Sequence, residues 1–242
     1  MALGNSTAKE RKIDIIFCID GTGSMSPCIE KVKANAKKFY QDFSTKMATD
    51  YNSVIEEVNI RVITFRDYLD DGKDAMVDSG RWFEMFAGDE VEYEKHINSI
   101  VAMGGGPSLE ENGLEALFFA MTADWKAIGS DDRQVIVLFT DADALKLGER
   151  AGQGEYPADM VDEAGLLNTW MGVRPPFLGQ DKFSLRERNK RLVLFAPSGT
   201  VYEQMQGQYN RCVFTPVEMS NGLEELSFDA IIQIIAASAS SI

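Results

Sequence analysis

Ile13-Asp14-Ile15-Ile16-Phe17-Cys18-Ile19 followed by Asp20-Gly21-Thr22-Gly23-Ser24 is the stretch that decides the fold. The first seven residues are apolar except for Asp14, which is how a strand buried on both faces reads, and such strands belong to parallel sheets. The run enters a loop with two glycines. Apolar positions Ile29, Val32, Ala36, Phe39, Tyr40, Phe43 and Met47 then recur three and four apart, tracing one face of a helix. Ser26 is placed as its N-cap, with Pro27 at the first helical position, where a missing N–H costs nothing.

The same alternation continues outward. Val58 to Phe65 alternates as a second strand, and after the acidic turn Asp67–Asp74 an extended segment around Met76 to Phe86 pairs with it as a hairpin. Helices are expected near Tyr93–Val101, through Leu114, Leu117, Phe118 and Met121, over Ala158–Trp170, Val201–Gln208 and Leu223–Ala237. Between them lie apolar strands at Gln134–Phe139, Arg191–Ala196 and Cys212–Thr215. Buried strands alternating with amphipathic helices predict an α/β fold: a doubly wound, mostly parallel central sheet with one antiparallel edge strand and helices on both faces. No linker divides the chain. One domain is expected over 13–237, with a flexible lead over 1–12 and a frayed tail over 238–242.

With 242 residues, 45% of them hydrophobic and 26% charged, the chain has globular composition and enough length for one large core. Its 38 acidic and 24 basic residues give a formal charge of −14, a surface that disfavours nucleic acid and anionic membrane. No apolar run approaches the roughly 20 residues needed to span a bilayer. Cys18, Cys28 and Cys212 are odd in number and widely spaced; Cys18 and Cys212 sit in apolar runs and are expected as buried free thiols, and a cytoplasmic setting is expected.

In an open α/β sheet, ligands bind outside the carboxyl ends of the strands. Three loops here carry oxygen ligands among small residues: Asp20–Ser24, Gly104–Glu111 and Thr140–Asp143. Asp20, Thr22 and Ser24 alternate, so in an extended turn their side chains can point the same way, with Gly21 and Gly23 leaving room. Two hydroxyls with the carboxylates of Asp20 and Asp141 form a hard oxygen set suited to Mg²⁺ or Mn²⁺. The ordinary alternative is a tight strand-to-helix turn with Ser24 capping the helix.

These loops resemble those of the von Willebrand A-type (integrin I-like) domains, whose metal-ion-dependent adhesion site opens on Asp-x-Ser-x-Ser. Asp20-Gly21-Thr22-Gly23-Ser24-Met25 is a threonine variant of that motif, and Leu138-Phe139-Thr140-Asp141 matches the family's third loop. Thr64-Phe65-Arg66-Asp67-Tyr68 is similar to the intracellular members. The resemblance implies a Rossmann-like fold and a non-enzymatic protein-interaction domain whose metal accepts a carboxylate from a partner protein. The second loop departs from the pattern: Gly104-Gly105-Gly106-Pro107-Ser108-Leu109-Glu110 has Pro107 where intracellular members carry an aspartate, which leaves Ser108 and Glu110 as candidate third ligands.

Asp20-Gly21-Thr22 matches half of the Asp-x-Asp-Gly-Thr motif of haloacid-dehalogenase-type phosphatases, but Cys18 stands where the nucleophilic aspartate belongs. Gly21 and Gly23 lack the remainder of a nucleotide-binding fingerprint. A metal-independent scaffold remains open. Asp143 is expected as a solvated loop residue or an outer carboxylate, the Asp67, Asp70, Asp71 and Asp74 group as a solvated turn, and His96 as an exposed helix residue. Trp82, Trp125 and Trp170 are expected in packing.

Overall fold

Strand β1 (Lys9–Asp20) begins four residues before its apolar run, so Lys9–Lys12, expected in a flexible lead, are sheet residues. They are held there because Lys9, Glu10 and Arg11 pair with Ser53, Val54 and Ile55 of β2 (Ser53–Phe65). The computed structural model describes residues 9–104, 110–218 and 227–241. Among these, seven strands form one sheet in the order β3-β2-β1-β5-β6-β7, with β4 also pairing β2. β1, β2, β5 (Arg133–Phe139), β6 (Lys190–Pro197) and β7 (Cys212–Val217) run parallel. The antiparallel edge is split into β3 (Met76–Asp78) and β4 (Phe83–Glu84), because the chain turns at Gly80, whose φ of +69° favours glycine.

Side-chain alternation along the central strands divides the core in two. Ile13, Ile15, Phe17 and Ile19 face α1 (Ser26–Tyr51), α3 (Glu90–Ser99) and α7 (Phe228–Ser240), whereas Ile16 and Cys18 face α4 (Gly113–Met121), α5 (Glu163–Trp170) and α6 (Val201–Gln208). Phe17, Phe139 and Phe195 stack across β1, β5 and β6 with centroids 6.1 and 5.0 Å apart. Each such pair adds about 0.5–1.5 kcal/mol beyond its buried area, which locks the relative placement of the strands that carry the site.

Several element ends differ from the sequence reading for local reasons. Ser26 is the first residue of α1 rather than its cap: a 3-10 turn over Gly23–Met25 leads in, with Met25 N donating to Thr22 O at 3.1 Å. α5 starts at Glu163 because Asp162 caps it, accepting from Gly165 N at 2.7 Å. α7 starts after Ser227, which accepts from Ala230 N, and continues through Ser240 with Ala236 and Ala239 buried, so 238–240 are helix and not a frayed tail. Residues 223–226 of the expected last helix lie outside the described residues. A short helix, α2 (Tyr68–Asp71), follows β2.

Candidate metal centre

The direction of strand succession reverses at β1, which has β2 on one side and β5 on the other. The loops leaving the ends of β1 and β5 therefore meet at the sheet's switch point. Gly21 is fixed there by Gly21 N donating to Phe65 O at 2.9 Å and by Met103 N donating to Gly21 O at 3.0 Å. A Cβ at Gly21 would lie 2.5 Å from Thr64 Cγ2 and 2.7 Å from Arg66 Nη2, so only glycine fits. Arg66 is buried and ties the loops together, donating to the carbonyls of Gly21, Met103, Asp74 and Val101 at 2.9, 3.2, 2.6 and 2.7 Å. The Thr64–Tyr68 segment noted in the sequence thus has a concrete mechanical role.

Asp20 is fully buried, Thr22 and Asp141 nearly so, and Ser24 is exposed, so the group climbs from the core to solvent. Asp20 Oδ1 accepts from Thr22 N at 2.9 Å and Thr22 Oγ1 at 2.6 Å, and its Oδ2 accepts from Thr140 Oγ1 at 2.8 Å. Ser24 Oγ lies 3.3 Å from Thr22 Oγ1 and donates to Asp141 Oδ1 at 3.1 Å. Asp141 Oδ2 is buried with no hydrogen-bond partner. The structure therefore brings Asp20, Thr22, Ser24 and Asp141 into one hydrogen-bonded group and adds Thr140. Burial raises the Asp20 pKa to about 6, opposed by hydrogen bonds from Thr22 and Thr140 and reinforced by Asp141. Burial likewise raises the Asp141 pKa, and the Ser24 hydroxyl lowers it.

Ser108 lies outside the described residues, and Glu110 is exposed. Its neighbour Glu111 is buried, with Oε2 unpartnered. Burial first, then the charges of Asp20, Asp67, Asp71 and Asp70, push Glu111 up to about 9, so it is protonated at neutral pH. Its backbone bridges to the third loop, Glu111 N donating to Asp143 O and Leu145 N to Glu111 O. No local sequence signal separates Glu111 from Glu110, because α4 is buried nearly all round. Among the described residues no group of three His, Cys, Asp or Glu side chains could hold a metal, so any cation here must use hydroxyl oxygens beside two carboxylates.

Some surrounding residues have roles the sequence did not suggest. Asp67, expected in a solvated turn, is fully buried; it caps α2 through Leu69 N and meets Arg150 in a two-pronged ion pair at 2.8 and 2.5 Å. Asp143 Oδ1 accepts from Ala144 N and from Val201 N at the start of α6, a structural tie rather than a solvated contact. His96 is half-buried, its ring 5.5 Å from Phe83. Trp82, Trp125 and Trp170 are in the core as expected. Cys18 is buried and donates to Ala116 O, whereas Cys212 is only half-buried.

No family model matches the sequence, and no curated protein does. Among solved structures, the pilus adhesin SpaC from Lactobacillus rhamnosus GG covers 95% of this chain at 11% identity with a TM-score of 0.53. Its open conformation matches at 13% identity with a TM-score of 0.52. Proximal thread matrix protein 1 from the mussel byssus covers 96% of the chain at 12% identity with a TM-score of 0.48. The chain spans about a third of SpaC, 31% and 30% of the two structures, and 47% of the mussel protein. The likeness to SpaC extends to the fold.

Proposed function

We propose that this chain is a von Willebrand A-type domain whose Asp20, Thr22, Ser24 and Asp141 hold Mg²⁺ or Mn²⁺ and thereby bind an acidic side chain of a partner protein. The supporting observation is where the protons go. The Thr22 hydroxyl donates its hydrogen bond to Asp20 and the Ser24 hydroxyl donates its own to Asp141, so the unshared pairs of both hydroxyl oxygens, and the unpartnered Asp141 Oδ2, are left for a cation. That donor set suits a hard ion that prefers oxygen and keeps water. When bound, the ion supplies an electrophilic position to an incoming carboxylate.

The chain's own residues do the rest. Thr140 and the Thr22 amide hold Asp20 in place, while exposed Ser24 leaves the site open to a partner. The overall charge of −14 does not forbid an acidic ligand, because exposed charges beyond about 8–10 Å are screened at physiological salt. The domain is non-enzymatic: His96 lies on α3 outside the hydrogen-bonded group, and Cys18, where a phosphatase nucleophile would stand, is a buried thiol. Among the described residues no helix is long and apolar enough to cross a membrane, and with its thiols we place the domain in the cytoplasm.

A second reading, a metal-independent scaffold, draws on Asp20 already accepting three hydrogen bonds from the protein. Affinity capture of partners in Mg²⁺ and in EDTA, repeated with Thr22→Ala, separates the two. Loss of the partner in EDTA and in the variant is the expected result. A partner retained equally in both belongs to the scaffold.

A further inference from the structure

At the opposite end of the sheet from the metal centre, arginines gather on one face. Arg11 in β1, Arg133 in β5 and Arg191 in β6 share the register face of Ile13, Val135 and Val193, against the end of α7, and all three are buried. They donate to main-chain oxygens there: Arg11 Nη1 and Arg133 Nε to Ala239 O, Arg191 Nε to Ser238 O, and Arg133 Nη2 and Arg191 Nη2 to Ser241 O. Arg211 stands beside Arg191, since Leu192 N donates to Arg211 O.

Capping the helix does not account for this much charge. A helix C-terminus presents about half a negative charge, and here it meets three buried guanidiniums. Among the described residues no carboxylate pairs within 4 Å with Arg11, Arg133 or Arg191; Arg211 has only Glu187, at 3.5 Å. Burial and the neighbouring guanidiniums lower Arg133 and Arg191 to about 10, opposed at Arg133 by the charges of Asp131 and Asp132. Asp131 and Asp132 offset the charge of Arg11 and Arg133, but Arg191 is buried with only guanidiniums as charged neighbours, a costly arrangement that an anion beside it would relieve.

An open cavity of about 320 Å³ reaches this cluster, lined by Arg191, Arg211, Cys212, Val213, Ile234 and Ser238. Ser238 is only 6% exposed, and its Oγ has no partner. Arg211 Nε is likewise buried and unpartnered. We propose that this cavity is a second ligand site, taking a small oxyanion, carboxylate or phosphate, that bears an apolar group. The oxyanion lies against Arg191 and Arg211 and accepts from the Ser238 hydroxyl; the apolar group lies on Cys212, Val213 and Ile234. The site is independent of the metal centre.

Calorimetry and thermal melts of the full chain, with hexanoate, hexyl phosphate, acetate and inorganic phosphate against chloride at equal ionic strength, test this. The expected result is saturable binding of hexanoate or hexyl phosphate, tighter than that of acetate or inorganic phosphate. Arg211→Gln and Ser238→Ala each weaken it, the arginine change at least about ten-fold, the scale of one charge-assisted hydrogen bond. Asp20→Ala leaves it unchanged. Melts no higher than in chloride, affinity indifferent to the apolar group, or full affinity in both variants would overturn the proposal. Which of the two hexyl compounds binds more tightly distinguishes carboxylate from phosphate.

Discussion

Replacing Asp20 by Asn should stabilise the metal-free protein at neutral pH, and the size follows from its burial. The carboxylate is fully enclosed and its pKa rises from the ordinary 3.8 to about 6. Between those values the folded state holds a proton that the unfolded state has released, so stability falls as pH rises through the window and the full penalty stands above it. A shift of about two units is worth about 3 kcal/mol. Asn carries no such penalty. Its amide can face Thr140 Oγ1, whose own proton can turn to Ala142 O at 3.4 Å, while its carbonyl still accepts from Thr22. In EDTA the variant should therefore melt roughly 6–12 °C above the parent at about pH 7.5, for a domain of this size. The two should converge at about pH 4, where Asp20 is protonated in the folded state. Urea unfolding across that range measures both. Equal stability of the two proteins at neutral pH, or a gap that widens on acidification, would refute the reasoning.

Arg150→Met leaves Asp67 charged in a fully buried position and should cost about 3–5 kcal/mol by urea unfolding, with Asp67→Asn in the same chain recovering part of the loss. Tyr202→Phe should be neutral or stabilising by up to about 1–3 kcal/mol, because the Tyr202 hydroxyl is buried without a partner. Gly113→Ala should destabilise, since a Cβ there would overlap that hydroxyl, and Tyr202→Phe should rescue it in the double variant.

Strand β1 and the group it ends in were legible because both obey short-range rules. The apolar run marks a doubly buried strand, and the Asp20, Thr22, Ser24 spacing survives as a hydrogen-bonded group with Asp141. Helix and strand kinds were readable for the same reason, and Val201–Gln208 matched to the residue. What escaped depends on contacts distant in sequence. Lys9–Lys12 look like a polar lead until β2 pairs with them. Asp67 looks solvated until Arg150, 83 residues away, closes on it. Glu111 rather than Glu110 turns inward because of the bridge between Glu111 and Ala144, which no local pattern displays. The arginines at the far edge of the sheet are scattered singly along the chain and become a cluster only once β1, β5 and β6 lie side by side.

The central claim is tested most directly by titrating Mn²⁺ into the protein and into Asp141→Ala by calorimetry at neutral pH. One site should bind in the parent chain, and the variant, which loses the unpartnered Asp141 Oδ2 and the acceptor of the Ser24 proton, should bind at least about ten-fold more weakly. No binding by the parent, or undiminished binding by the variant, would contradict a cation held at Asp20, Thr22, Ser24 and Asp141.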